Sequence, residues 1–352
     1  MGNLTEKLNA RQWKSAGPPR RLLIIRLQAI GDVVLTYPLV QALKNEYPGM
    51  EIDFVTRHIQ GSLTSNLTAV HKVIAITNSQ RTWRQLWDLA ANFPYFFRRK
   101  YDVIIDLQRN RASRMLCGWL RPSAWAEFDR KGLLPAVLRY RQAVEATGLT
   151  INSHYPVTGL SKPGMGNQLL MENGWDGQSA LVVLNPAGLF SSRNWPIENY
   201  VAFARQWKSR FAQTQFLVLG DARIAQKAQF LKEQLGSSLV TLHQKTSLEE
   251  AFCILAKVQF MLSEDSGLFW MAWVQKVPSL AMFGSTPGAR MRMGGSHARF
   301  LTSSDLPCGD CLLPLCTFGK TAKCLARYSP ESLVTQAWEI LGIGAAQTNL
   351  AS

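Results

Sequence analysis

Three residues in the C-terminal half, Asp265, Ser266 and Gly267, stand where a short apolar run, residues 258–262, gives way to an apolar stretch of helical length. Asp or Ser can cap such a helix, and Gly lets the backbone approach a ligand closely, so the N–H groups at the helix start would attract a phosphate. An isolated Asp-Ser-Gly is more simply a structural cap. The next apolar run, residues 277–283, also ends in a small polar loop, Gly284-Ser285-Thr286-Pro287. Two successive strand ends then reach one edge of a sheet, the edge where open α/β sheets bind ligands. In the N-terminal half, Asp32 follows Gly31 after a buried-strand run. A carboxylate there can act as a general base or merely complement a helix dipole. Arg109, Arg111 and Arg114 cluster after the strand at 101–106, and guanidinium forks match phosphate or carboxylate. Cys308, Cys311, Cys316 and Cys324 make a tempting metal cluster. Their spacing is not that of a paired zinc ribbon, so they are read as reduced structural thiols, with Cys117 and Cys253 as core residues.

The elements that must position these groups alternate. Residues 22–25 predict a strand, 26–32 a loop, and 33–47 a helix stopped by Pro48-Gly49 before the next strand at 51–56. That is the start of a parallel sheet. Further strands are expected at 71–76 and 101–106, then at 180–184, 215–219 and 239–243. Helices are expected over 197–211 and after a cap at Thr246 or Ser247. The predicted architecture is α/β: two doubly wound domains facing a central cleft. A tail covers 1–20, a first domain 21–160, a Pro/Gly linker 161–179, a second domain 180–343 and a tail 344–352. Neither a Walker loop nor G-x-G-x-x-G is present, which argues against an ATPase or a dehydrogenase.

At 352 residues and 47% hydrophobic content the chain can bury two cores. Its apolar runs fall short of a membrane span and none opens the chain as a signal peptide, so a cytoplasmic location is expected. The net charge of +15 is uneven: residues 1–160 hold 22 Lys and Arg against 11 Asp and Glu, the remainder 17 against 13. Such a bias points to an anionic partner. A helical stretch from 81 to about 97 interleaves Trp83, Trp87, Tyr95, Phe96 and Phe97 with Arg81, Arg84, Arg98, Arg99 and Lys100. No nucleic-acid-binding motif accompanies it, so no nucleic-acid partner is expected. An amphipathic surface touching a membrane suits the composition better, core packing of the aromatics being the ordinary alternative.

Five motifs in order carry a resemblance: residues 21–38 with Gly31-Asp32-Val33, the strand at 101–108, Asn185-Pro186-Ala187-Gly188 with Trp195-Pro196, Glu264-Asp265-Ser266-Gly267, and 280–284. Over residues 20–343 the chain resembles the lipopolysaccharide heptosyltransferase family, glycosyltransferase family 9. The resemblance implies a GT-B fold of two Rossmann-like domains and inverting transfer of heptose from ADP-heptose without a metal or other cofactor. It also implies an anionic glycolipid or oligosaccharide acceptor of the lipopolysaccharide core, on the cytoplasmic face of the inner membrane. Asp32 matches the family's proposed base, and Arg109, Arg111 and Arg114 would meet the acceptor. Ser191, Ser192 and Arg193 occupy the loop near the donor diphosphate, with Arg where the family has Lys. Asp265, Ser266 and Gly267 match the turn at the nucleotide, and Asp221 is the nearest match to an acid after the strand ending at Gly220. Trp270 stands where the family usually has His, and an indole cannot accept a proton. Another nucleotide sugar or acceptor, or a catalytically impaired ligand-binding homologue, is the alternative.

Overall fold

A computed structural model describes residues 8–152, 157–291, 295–319 and 322–343. The chain divides into two compact units, Met1–Lys162 and Pro163–Ser352. The expected tail at 344–352 and residues 154–156, just before the expected boundary, lie outside the described residues.

Unit 1 is a six-stranded sheet of β1 (Ala10–Arg11), β2 (Arg21–Ile25), β3 (Glu51–Arg57), β4 (Lys72–Ile76), β5 (Val103–Asp106) and β6 (Ala124–Glu127), in the order β1-β6-β5-β2-β3-β4. Only β1 is antiparallel to its neighbour. The parallel strands follow a doubly wound order whose direction reverses between β2 and β5. Because helices cover both faces of such a sheet, its strands are continuous apolar runs rather than alternating ones. In β2, Leu22, Leu23, Ile24 and Ile25 are all buried. One face packs Leu23, Ile25, Val55 and Ile104 against Leu89, Phe96 and Leu116. Those three come from the helices Thr82–Ala91, Phe93–Arg99 and Arg111–Leu120.

Three expectations for this unit need correction. The helix expected over 33–47 is two, Ile30–Val34 and Tyr37–Glu46. The helix over 81–97 is also two, meeting at Asn92. In both cases a proline, Pro38 or Pro94, sits in the first turn of the second helix, where its missing N–H costs no hydrogen bond. Residues 8–20 are not a plain tail, since β1 pairs with β6; a two-residue strand is too short to show a pattern. After β5, Asn110 caps the helix Arg111–Leu120 by accepting the Ser113 N–H at 2.8 Å.

Unit 2 carries β7 (Leu181–Asn185), β8 (Gln215–Val218), β9 (Leu239–Thr241), β10 (Phe260–Glu264), β11 (Ser279–Met282) and β12 (Ala298–Leu301), all parallel, in the order β12-β11-β10-β7-β8-β9. Here the order reverses between β7 and β10, with Asn185 beside Ser263. Trp195, Tyr200, Phe203, Trp207, Phe216 and Phe260 anchor the core on one face. The expected linker at 161–179 contains the helix Asn167–Glu172. Gly166 precedes it at φ 84°, where an added Cβ would lie 2.6 Å from Ile254. That part of the segment is packed against unit 2.

Candidate functional site

In unit 2 the strands on either side of the reversal deliver one constellation. Glu264, the last residue of β10, is fully buried. Its carboxylate accepts the N–H groups of Gly188 and Trp195, each at 2.7 Å. One acid therefore pins both ends of the loop that follows β7. Lys227 lies 3.7 Å from it and donates to the Pro186 carbonyl and to Asn194 Oδ1, both at 2.7 Å. Burial pushes the Glu264 carboxyl up to about 7, although Lys227 and the two N–H groups pull the other way. A Cβ at Gly188 would fall 2.5 Å from the Arg193 carbonyl oxygen and 2.9 Å from Glu264 Oε2, so only glycine lets the loop fold this tightly.

Held by this loop, Arg193 donates to Asp265 Oδ2 at 2.8 Å, and Thr286 Oγ1 donates to the same oxygen at 2.6 Å. Asn185 donates to Ser263 Oγ and Ser266 Oγ at 2.7 and 2.6 Å. Ser266 in turn caps the helix Gly267–Val274 by accepting the Phe269 N–H at 3.3 Å. The loop after β7, the turn after β10 and the loop after β11 thus bring together a half-buried guanidinium, hydroxyls and a helix N-terminus. The helix N-terminus and the hydroxyls suit an anion such as a diphosphate, for which Arg193 would exchange its partner Asp265.

The other residues expected at the donor have protein partners of their own. Ser192 is 2% exposed, its hydroxyl donating to the Leu313 carbonyl at 2.5 Å and lying 3.0 Å from Ser285 Oγ. It fastens the loop rather than offering a free hydroxyl. Exposed Ser191 donates to the Pro314 carbonyl at 3.2 Å. Asp221 follows β8, not a strand at the reversal, and pairs with Arg223 at 2.8 Å. The Arg223 hydrogen bond holds its carboxyl below the usual range. Trp270 is 7% exposed and packs against Phe269, Phe283 and Phe300, with ring centroids 4.8, 5.8 and 6.2 Å away. Its apolar ring belongs to the core of a helix that is buried along most of its length.

In unit 1 the residues beside the reversal are stitched together in a different way. Arg26 follows β2 at 7% exposure and sits 2.6 Å from Asp32 Oδ2. It also donates to the Leu107 carbonyl, and its guanidinium lies 5.4 and 5.6 Å from the ring centroids of Phe128 and Tyr140. Burial works against its charge, but Tyr140 and Asp32 more than offset it, leaving its pKa above the ordinary value. Gln108 Oε1 accepts the Leu27 N–H at 3.0 Å, a second tie between the exits of β2 and β5. Asp32 accepts the Ala29 N–H at 3.2 Å, and its side chain remains 40% exposed.

The arginines divide. Arg114 grips Glu127 through two bonds at 2.9 and 2.8 Å, and Arg109 Nε reaches the same carboxylate at 3.1 Å. Arg109 adopts φ 48°. This uncommon turn is held by buried Asp106, whose carboxylate accepts the Gln108 and Arg109 N–H groups and the Ser113 hydroxyl at 3.0, 2.8 and 2.7 Å. Burial raises the Asp106 carboxyl to about 6 against those bonds. Arg111 is exposed and makes no ion pair among the described residues. The three do not form one open anion site, since two of them are occupied by an acid four residues before Lys131 that sequence spacing did not connect to them.

The four clustered cysteines are free thiols. Burial, then the neighbouring Cys316, Cys311 and Cys308, raises the Cys324 thiol. Among the described residues no group of three or more His, Cys, Asp or Glu is arranged to hold a metal ion.

Comparison with known proteins decides the family. A family model described as glycosyltransferase family 9 (heptosyltransferase) matches residues 97–322, more than half of the chain. The chain belongs to this family. It is 25% identical to lipopolysaccharide heptosyltransferase 1 of Pseudomonas aeruginosa, over 90% of this chain and 96% of that one. Among solved structures, a family 9 glycosyl transferase from Veillonella parvula superposes with a TM-score of 0.75 at 17% identity, covering 92% and 98% of the two chains. The E. coli heptosyltransferase WaaC with ADP-2-deoxy-2-fluoro heptose gives a TM-score of 0.66 at 19% identity, covering 91% and 99%. These likenesses, with the two observed sheets, establish an α/β, GT-B-like fold of two doubly wound domains.

Proposed function

We propose that this glycosyltransferase moves heptose from ADP-heptose to an anionic acceptor of the lipopolysaccharide core, with inversion at the anomeric carbon. The observation that carries the donor half is the convergence of Arg193, Asp265 and the capped helix start at Ser266 in unit 2. The relative with a bound ADP-heptose analogue names the same class of donor. In the reaction the acceptor hydroxyl oxygen attacks the anomeric carbon, and the bond from that carbon to the diphosphate breaks with its electron pair leaving on ADP. The hydroxyl proton passes to Asp32, whose partly exposed carboxylate is held in place by Arg26. The ion pair with Arg26 fixes the position and rotamer of the carboxylate. Arg111, with the residual positive charge of the Arg109, Arg114 and Glu127 group, favours an anionic acceptor. The protein's own residues supply these roles, without a cofactor.

The test is a donor screen on the full chain, with mass detection of sugar transfer to a delipidated core oligosaccharide and NMR assignment of the new anomeric centre. Transfer from ADP-heptose with inverted configuration is expected. Consumption of a different nucleotide sugar, or tight ADP binding with no transfer from any donor, would contradict the proposal.

A further inference from the structure

Three helices of unit 1, Thr82–Ala91, Phe93–Arg99 and Arg111–Leu120, turn Leu89, Phe96 and Leu116 toward the sheet. Their other side is unusual. Trp83 and Trp87, four residues apart and half a turn of the helical wheel from the buried Gln85 and Leu89, are 60% and 75% exposed. Phe97 is 64% exposed and Trp119 39%. Phe93 joins the last two, with ring centroids 6.0 Å from Phe97 and 6.1 Å from Trp119. A monomer in water gains nothing by exposing large aromatics in a group.

The charge around them is of one sign. Arg81, Arg84, Arg98, Lys100 and Arg121 are exposed on or beside the same helices. The Arg84 guanidinium lies 5.2 Å from the Trp83 ring centroid. Asp88, the one acid within these three helices, faces inward and accepts the Thr77 N–H at 2.6 Å. Amphipathic aromatics ringed by cations match a bilayer surface, where Trp seats at the headgroup level and Arg and Lys meet anionic lipid. Among the described residues no helix is long and apolar enough to cross a membrane, so the contact is with the surface.

We infer that this face of unit 1 is a docking surface for an anionic lipid bilayer, seated by Trp83, Trp87, Phe97 and Trp119 and attracted by the surrounding arginines and lysine. The inference deepens the proposed function, since a glycolipid acceptor would be presented at such a surface, but its test needs no acceptor. Full-length protein is sedimented with vesicles of phosphatidylglycerol and phosphatidylcholine, and with phosphatidylcholine alone. The protein should bind the anionic vesicles, and raising the salt should weaken the binding. The triple variant Trp83→Ser, Trp87→Ser, Phe97→Ser alters only exposed side chains and should keep its melting temperature. It should bind about tenfold or more weakly, as should Arg84→Gln, Arg98→Gln, Lys100→Gln. Protein that stays in the supernatant, or an aromatic variant that binds like the parent, overturns the inference. So does a parent dimer that the aromatic variant splits without any vesicle binding, because the face then meets a second copy. Vesicle binding without sugar transfer leaves the surface standing and removes the proposed function; transfer to a soluble acceptor without vesicle binding does the reverse.

Discussion

The two sheets reverse strand order at equivalent places, yet they hold the loops beside the reversal around buried side chains of opposite type. In unit 2 a buried acid, Glu264, gathers backbone N–H groups and Lys227 around it. In unit 1 a buried base, Arg26, gathers the Leu107 carbonyl, two aromatic rings and Asp32. The difference fits the roles proposed for the two units. A buried acid draws N–H groups into the loop and leaves Arg193 and a helix start beyond it, all suited to a departing diphosphate. A buried base holds a carboxylate outward, where it can take a proton. Under the proposed function, one topology would support an anion holder and a proton acceptor, depending on which charge is buried.

The largest expected effect on stability comes from breaking the unit 2 arrangement. Glu264→Ala leaves the Gly188 and Trp195 N–H groups without acceptors and removes the carboxylate beside Lys227. A loss of about 3–5 kcal/mol is expected, read as a lower thermal midpoint together with weakened ADP binding. A variant that melts normally would show that the loop does not depend on the acid.

The next test is one of pH. Asp106 is buried, and its carboxyl stands near 6 against an ordinary 3.8. A raised carboxyl pKa means that the folded chain binds the proton more tightly, so this contribution to stability is full below about 3.8 and is lost as pH rises to about 6. Asp106→Asn can still accept the Gln108 and Arg109 N–H groups and can donate to Ser113. Relative to the parent it should gain stability between about pH 4 and 6, by up to roughly 3 kcal/mol at neutral pH. Denaturant midpoints across that range check this. A difference that does not change with pH would mean that Asp106 is ionised throughout.

Smaller effects separate the arginines. Arg114→Gln removes the two-pronged grip on Glu127 and should cost about 1 kcal/mol. Arg111→Gln should leave the melting point unchanged and weaken acceptor binding at low salt, an effect that added salt suppresses. Equal behaviour of the two variants would erase the distinction between the structural and the free arginine.

Much of this was legible in the chain itself. The runs that became β2, β5, β7 and β10 are continuous and apolar because both faces of each sheet are covered, so length and composition revealed them. β1 has only two residues, and β6 (Ala124–Glu127) and β12 (Ala298–Leu301), though as long as β5, mix alanine and a charged residue into the run, so neither shows a continuous β-branched apolar pattern. Arg193, Asp265 and Ser266 were found through motif order, and the structure joins them. Glu264 was quoted within that motif without a role, because only burial shows that its oxygens meet Gly188 and Trp195. Arg26 and Glu127 went unassigned for the same reason: Arg26 is buried among Leu107, Phe128 and Tyr140 from other elements as well as pairing with Asp32, and Glu127 meets Arg109 and Arg114 from the neighbouring strand's exit. Trp270 and Ser192 illustrate the converse, since position in a motif does not reveal that a side chain is packed away.

The most direct test of the division of roles is the turnover of Asp32→Asn, measured with saturating ADP-heptose and core acceptor alongside the thermal midpoint and ADP affinity. The substitution keeps the shape of the side chain and an oxygen for the Ala29 N–H, but removes the basic carboxylate and its charge pairing with Arg26. Turnover is expected to fall about 10²-fold or more, with ADP affinity unchanged and the chain still folded at the assay temperature. Near-normal turnover by the folded protein, with the loss appearing only as a lower thermal midpoint, would show that Asp32 merely anchors Arg26 and would contradict its assignment as the base.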